Sequence, residues 1–171
     1  LQSIIFTREI GGLLKQILLI IGKKNGSDII YTENYKIIVQ SSSCSSLQVV
    51  FELGNQFYRP AVATMKLIRG KCGIYQKVPY LIEMNRLLLF PTMGLKNKEC
   101  CWINYYCIKD LRTINGGTEF TFYDYSIMKC VDLNFKYYLP IDRRTIVGQM
   151  KRSKLVHEDY LSDKKDIKFL H

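Results

Sequence analysis

Residues Leu87–Ile108, LLLFPTMGLKNKECCWINYYCI, hold an apolar strand running into Phe90-Pro91-Thr92, a loop with Lys96 and Lys98, and a second strand opening with Cys101-Trp102-Ile103. Proline has no N–H to give to a sheet ladder, so Pro91 ends the first strand or lies on a sheet edge. The two runs form a hairpin-like unit with a positively charged tip. The chain's one tryptophan, Trp102, enters where the second strand begins.

On the N-terminal side, Gln16–Gly22 and Asp28–Tyr31 flank Lys23-Lys24-Asn25-Gly26, and Asn-Gly between apolar runs is the strongest short-range hairpin signal. Tyr35–Val39 makes a third strand. Ser41–Ser46 offers helix N-caps, Leu47–Leu53 is a short helix, and Gly54 closes it. Arg59-Pro60 opens a second helix that Gly70 stops, with Ala61, Val62, Met65 and Ile68 on its inner side and Arg59 and Lys66 beside them.

On the C-terminal side, Asn115-Gly116-Gly117 is a turn, and Thr118–Tyr123 alternates, with Phe120 and Phe122 on one face and Glu119, Thr121 and Tyr123 on the other. Asp124–Ser126 turns the chain into Ile127–Leu133, giving a meander of antiparallel strands. Asp142 caps a last helix beginning Arg143-Arg144. Its Ile146, Val147 and Met150 face inward, Arg144 and Lys151 share a flank, and Arg152 and Lys154 lie nearby. The pattern predicts a single α+β domain over residues 1–171: a mostly antiparallel β-sheet, two adjacent helices after the first strands, a basic C-terminal helix, and a loosely held tail over 157–171. Phe90, Trp102, Ile103 and Phe122 are read as structural.

The 171 residues are 47% hydrophobic and 23% charged, which supports a packed core and argues against disorder. No run reaches the roughly 18 apolar residues of a membrane span; Ile17–Ile21 is cut off from Leu13-Leu14 by Lys15 and Gln16. Nothing near the start reads as a secretion signal, so a cytoplasmic location is expected. The start at Leu1 rather than Met reads as a piece of a longer protein.

Twenty-five Lys and Arg against fifteen Asp and Glu give a net charge of +10, which suits a polyanionic partner. Half of it comes from residues 59–77, where Arg59, Lys66, Arg69, Lys71 and Lys77 occur with no acid, whereas solvated faces ordinarily mix both signs. Six cysteines (44, 72, 100, 101, 107 and 130) include no C-x-x-C, and both histidines, His157 and His171, lie near the C-terminus. Neither a zinc site nor Cys-His catalysis is assembled from that set, and the thiols read as buried and reduced. There is no Gly-x-Ser-x-Gly elbow or phosphate loop, and the carboxylates are scattered. The expectation is a non-enzyme with no metal and no cofactor.

Binding chemistry fits better, because Lys and Arg on loops and helix flanks neutralise phosphates. The candidate phosphate-facing residues are Arg59, Lys66, Arg69, Lys71, Lys96 and Lys98, with Arg143, Arg144, Lys151 and Arg152 as a second group. The Lys96 and Lys98 loop suits insertion beside phosphates or into a narrow A·T-rich minor groove. There is no clear helix-turn-helix; if residues 54–58 were its turn, the Arg59–Arg69 helix would be the recognition helix. Tyr105, Tyr106 and Tyr123 are candidates for base stacking, although most aromatic residues here are core or strand-face residues. A cysteine-dependent enzyme or redox sensor at Cys100-Cys101 is a third reading, which thiol reactivity separates.

The block from Phe90-Pro91-Thr92 to Glu99-Cys100-Cys101-Trp102-Ile103 resembles the competence transcription factor (ComK) family, in which Phe-Pro-Thr leads to an acidic residue, Cys, a variable residue and Trp-Ile. Cys101 stands at the variable position. Ile17–Val39, Gly70–Ile82, Thr118–Tyr138 and Arg143–Lys154 fall in the family's order. The resemblance implies a DNA-binding activator of competence (DNA-uptake) genes that binds paired A·T-rich boxes in double-stranded DNA as a homo-oligomer. It further implies a nucleoid-associated protein, with RNA polymerase and an adaptor-protease system as additional partners and no membrane. One departure stands out. Where the family has Gly-Ser-Ser-Tyr/Phe-x-Gly-Arg, this chain has Gly54-Asn55-Gln56-Phe57-Tyr58-Arg59-Pro60: Gly54 and Phe57 match, Arg59 takes the Gly place and Pro60 the Arg place. The alternative it opens is a decayed or divergent paralogue, an interaction module without specific DNA binding.

Overall fold

The structure, a computed structural model, describes residues 15–124 and 130–168, with side chains as far as residue 160. Strands β1 (Gln16–Lys23), β2 (Gly26–Glu33) and β3 (Lys36–Ser42) form two successive antiparallel hairpins. The second turns on Asn34 and Tyr35, both with left-handed φ (52° and 62°), so Tyr35 belongs to the turn rather than to the third strand.

Ser45 opens α1 (Ser46–Gln56) with a capping box: its Oγ accepts from the Gln48 N–H, and Gln48 Oε1 accepts from the Ser45 N–H. Gly54 does not close this helix as the sequence predicts; the helix runs on to a cap at Phe57. Gly54 is there for a close approach instead. A Cβ on it would overlap the Tyr80 hydroxyl, which donates to the Arg59 carbonyl across the helix connection. Helix α2 (Ala61–Cys72) likewise passes through Gly70 and ends at Gly73, which takes the left-handed cap conformation (φ 66°). Ala61, Met65 and Ile68 are buried as expected. Val62, also assigned to the inner side from sequence, is 81% exposed.

β4 (Tyr80–Glu83), β5 (Leu87–Pro91) and β6 (Trp102–Asn104) complete a six-stranded antiparallel sheet in the order β3-β2-β1-β6-β5-β4. Pro91 is the last residue of an interior strand. It pairs with Trp102 on one side, while β4 begins only opposite Leu89, so no ladder partner meets the missing N–H. A short 3-10 turn, Tyr105–Cys107, carries the chain into a second sheet of β7 (Ile108–Ile114), β8 (Gly117–Asp124) and β9 (Val131–Leu139). The sequence pattern predicted this meander but not that it forms a separate layer. Ile127–Leu133 was the expected last strand; its first residues lie outside the described ones, and the strand extends to Leu139.

The layering explains why β1 and β5 read as continuous apolar runs without alternation. One face of the large sheet meets the helices in a core that includes Ile17, Ile20, Val50, Leu53, Leu88 and Trp102. The other meets the small sheet in a core of Leu18, Leu19, Ile30, Phe90, Ile103, Phe120 and Phe122. A bulge between Ile17 and Leu19 lets Leu18 and Leu19 face the same layer. Fully buried Asn104 fixes this centre: its Nδ2 donates to the Ile17 and Arg86 carbonyls (2.8 Å each), and its Oδ1 accepts from Leu88 N and Tyr106 N (3.3 Å each).

Asp142 caps α3 (Arg143–Lys168) as the sequence implies, with Oδ1 2.6 Å from the Arg144 N–H. Ile146 is fully buried, whereas Val147 and Met150 are only half-buried. From residue 157, where a loosely held helix or tail was expected, the chain continues as helix to Lys168. His157 Nδ1 lies 2.7 Å from Tyr106 Oη, Cys72 Sγ donates to Asp159 (3.0 Å), and the Arg59 guanidinium donates to Tyr160 Oη (2.9 Å). No helix among the described residues is long and apolar enough to cross a membrane.

Gly54→Ala should destabilise the fold by about 1–3 kcal/mol, the usual cost of overpacking. Adding Tyr80→Phe, which removes the obstructing hydroxyl, should recover part of that loss in denaturant melts; equal stability of Gly54→Ala and the parent would contradict the packing described.

Candidate nucleic-acid interface

The loop between β5 and β6 is closed at its base by Thr92, whose N–H donates to the Cys101 carbonyl (2.9 Å) and whose Oγ1 accepts from the Cys101 N–H (3.0 Å). Ser46 Oγ donates to the Cys100 carbonyl (2.7 Å), tying the first turn of α1 to the same loop. Gly22 admits the Lys98 and Cys100 carbonyls so closely that any side chain there would collide with them. The exposed Lys96 and Lys98 are therefore held on a fixed loop next to the β1–β2 turn, which adds exposed Lys24.

A single buried side chain brings in two further segments. Gln149 of α3 is 3% exposed, and its Nε2 donates to the Pro91 carbonyl (2.7 Å) and the Lys77 carbonyl (3.0 Å). Its Oε1 accepts from Arg152 Nη1, which also donates to the Gln76 carbonyl (both 3.2 Å). Ser153 Oγ bonds back to the Gln149 carbonyl at 2.9 Å. Residues 76–77, the strand end at Pro91 and α3 thus meet at one place, and the cations Lys77, Lys96, Lys98 and Arg152 share that end of the large sheet. Sequence reasoning missed Lys24, Gln149 and the position of Lys77. A polar residue two places after Val147 gives no sign that it points into the core.

The second predicted group divides. Arg143 and Lys151 line a groove of about 340 Å³ between α3 and β7, together with Lys154 and Lys109, over a floor that includes Ile108, Leu111, Val147 and Met150. Arg144 is exposed beside Arg143, and Arg152 lies on the opposite flank of α3 from Lys151. Residues 143–157 contain no acid at all. On α2, Lys66 and Arg69 stand exposed on the outer face with Val62 and Leu67, and Lys71 acts electrostatically on the Cys72–Asp159 pair.

Arg59 is placed differently from expectation. Its guanidinium carbon sits 5.5 Å from the Tyr160 ring centroid, stacked on it as well as bonded to its hydroxyl, so it packs α3 rather than facing outward. The ion pairs among the described residues are Lys15–Glu33, Lys23–Asp28, Arg86–Glu83, Lys109–Asp132 and Lys154–Glu158. None involves Lys66, Arg69, Lys96, Lys98, Arg143, Arg144, Lys151 or Arg152.

Residues 20–162 match the family model described as ComK protein. The chain belongs to the ComK family. ComK proteins are transcription factors rather than enzymes. No curated protein and no solved structure matches this chain. In this ComK protein the Phe-Pro-Thr to Trp-Ile block is the β5–loop–β6 unit, and its chemistry is architectural. Phe90, Trp102 and Ile103 are fully buried, and Thr92 and Cys100 anchor the loop that presents the lysines. The departure at residues 59–60 leaves Pro60 at the start of α2, where the family pattern has an arginine.

All six cysteines are free, and among the described residues no group of three or more His, Cys, Asp or Glu gathers to hold a metal ion. Burial pushes the Cys101 thiol up to about 11, and burial together with Asp159 pushes Cys72 up to about 12. Burial also raises Cys100, and raises Cys107 well above the ordinary range. These are poor nucleophiles. Native alkylation followed by peptide mass spectrometry should label exposed Cys130 first and leave Cys100, Cys101 and Cys107 unmodified until the protein unfolds. The folded state holds the Cys101 proton more tightly than the unfolded chain does. Its contribution to stability is therefore full below pH 9 and lost as pH rises through about 11. Cys101→Ala should flatten that alkaline decline in melts taken across the same range.

Proposed function

We propose that this ComK-family protein is a DNA-binding activator of competence genes that takes A·T-rich double-stranded DNA as its ligand, in the cytoplasm and on the nucleoid. The observation that carries this reading is the set of surface cations, drawn from segments far apart in the chain and, Lys154 apart, without carboxylate partners among the described residues, on the rigid β5–β6 loop and along α3. A polyanion with regularly spaced phosphates satisfies such a surface, and release of its counterions supplies most of the affinity. The start of α3 supports the same reading. Arg143 and Arg144 occupy a first turn with no acid in it. Cations there oppose the helix macrodipole, at roughly 0.3–1 kcal/mol each, which the Asp142 cap offsets in part and a phosphate held by the two arginines offsets further. Lys96 and Lys98, on a narrow loop, are the residues assigned to the minor-groove side.

In a gel-shift titration, affinity for A·T-rich duplex should fall by about three orders of magnitude between roughly 50 and 200 mM salt. Lys96→Ala and Lys98→Ala should each lower the slope of log affinity against log salt by about one. A flat titration with the parent protein would defeat the reading.

The packing of Arg59 on Tyr160 favours a second reading, in which the chain is an interaction module that has lost specific DNA contact at this position. Replacing the pair with the family's residues, Arg59→Gly with Pro60→Arg, returns a cation to the start of α2. It should strengthen duplex binding and steepen the salt slope by about one. Unchanged binding would mean that residues 59–60 take no part in DNA contact.

A further inference from the structure

The groove between α3 and β7 holds more than cations. On α3 its lining is one stripe, Arg143, Val147, Met150, Lys151 and Lys154, spaced as residues that share a helix face. On β7 the apolar lining is Ile108 and Leu111, which lie three apart and in a regular strand would point to opposite sides. The bulge between Ile108 and Asp110 supplies the extra residue that turns both onto the groove. Half-buried Tyr105 joins them, and the floor is apolar.

The charge of the lining is one-sided. Its four cations stand against a single acid, Asp110, whose Oδ1 accepts from the Leu111 N–H (2.8 Å). Lys109 pairs with Asp132 and Lys154 with Glu158 (3.9 Å), while Arg143 and Lys151 have no ion-pair partner among the described residues. Cations alone suit phosphates, but an apolar floor offers a sugar-phosphate backbone nothing. The ligand that uses both is an anion with an apolar body. A helical peptide is too wide, since a helix with its side chains is about 10–12 Å across. The groove holds about 340 Å³, at the small end of the range for small-molecule sites. An extended peptide would set backbone N–H groups over alkyl side chains, at a cost for each one left unpaired. An alkyl chain has no such groups.

We infer that this groove is a binding site for a fatty acid, with the carboxylate on the Arg143 guanidinium and the alkyl chain laid over Val147, Met150, Ile108 and Leu111 toward Lys151. Arginine suits the head group, because its planar fork takes a carboxylate through two parallel hydrogen bonds. Lys151 and Lys154 flank the chain, covering it with their methylene stems while their ammonium groups stay in water. Met150, unbranched and flexible, fits its side chain to the ligand. The stripe also sets the length. Arg143 and Lys151 are eight residues apart, which is about 12 Å at a helical rise of about 1.5 Å per residue. A zigzag of C–C bonds, each about 1.5 Å, covers that distance with about ten carbons, so decanoate is the probe. The inference does not rest on the nucleic-acid reading, since binding is measured without DNA.

Isothermal titration of the full chain with hexanoate, octanoate and decanoate provides the test. Decanoate should bind with a Kd of about 1 mM or tighter. A methylene fully withdrawn from water gains about fourfold in affinity and one lying on an open floor about twofold, so decanoate should bind at least about tenfold more tightly than hexanoate. Decyltrimethylammonium, the same chain with the opposite charge, should not bind. Arg143→Gln, at an exposed position, should keep the parent's circular dichroism and weaken decanoate binding at least about tenfold. Equal affinity for the three chain lengths overturns the inference and leaves a cationic surface only. So do decanoate binding that Arg143→Gln leaves unchanged, binding of decyltrimethylammonium as tight as that of decanoate, and no decanoate binding up to about 1 mM. An acidic, apolar peptide that binds more tightly than decanoate and loses its affinity in Arg143→Gln overturns the fatty-acid assignment in favour of a polypeptide.

Discussion

The primary amide of Gln149 has two N–H groups, and both are used on carbonyls, one at the end of the Phe-Pro strand and one in the connection after α2. Buried in a low-dielectric site, an amide without these partners costs roughly 1–3 kcal/mol, so the arrangement is specified and not merely tolerated. Where α3 lies follows in part from it. So does the side of α3 on which Arg152 emerges, and the meeting of Lys77 with the loop that carries Lys96 and Lys98. Asn104 plays the matching part inside the large sheet, where one side chain serves β1, β5, the Arg86 turn and the 3-10 turn at once. Two buried amides, 45 residues apart, thus set the frame within which the apolar layers pack.

Much of this was legible beforehand. Local chemistry identified the Asn-Gly hairpin, the serine cap of α1, the proline at the strand end, the alternation of Phe120 and Phe122, and the Asp142 cap. What was not legible was tertiary. Gly54 and Gly70 carry the composition of helix stops, yet Gly54 answers to a tyrosine hydroxyl 26 residues downstream and Gly70 to no steric demand among the described residues. Val62 has the spacing of a core residue, but the buried stripe of α2 is the narrow one of Ala61, Met65 and Ile68. The second sheet was missed because a short 3-10 turn, not a glycine or proline, redirects the chain at Tyr105. For the cationic surface, residue type was readable and direction was not. Arg59 and Lys96 look alike in a sequence, and only packing shows that one lies on an aromatic ring and the other faces solvent.

The family signature gains a physical meaning from its position. A motif of Phe, Pro, Thr, Cys, Trp and Ile contains no cation to neutralise a phosphate, and all six residue types are buried here. What they supply is stiffness. A loop fixed at its base by reciprocal Thr92–Cys101 bonds and at its side by Ser46 loses little freedom when it docks, and preorganisation of this kind lowers the entropic cost of binding. The cations gain from standing on a rigid support, even though none is part of the motif's most specific letters.

The strand order has a consequence for how the chain acquires its shape. β1 lies beside β6, so Leu19 must find Ile103 and Ile20 must find Trp102 across more than eighty intervening residues. The β1–β2–β3 hairpins close locally and early, whereas the middle of the sheet waits for distant partners and the loop-closure entropy they carry. A nascent chain leaving the ribosome holds a preformed three-stranded ribbon whose β1 flank is open until the β5–β6 unit arrives. For that interval a strongly apolar strand has one unsatisfied side, which makes synthesis rather than the mature state the moment of greatest aggregation hazard.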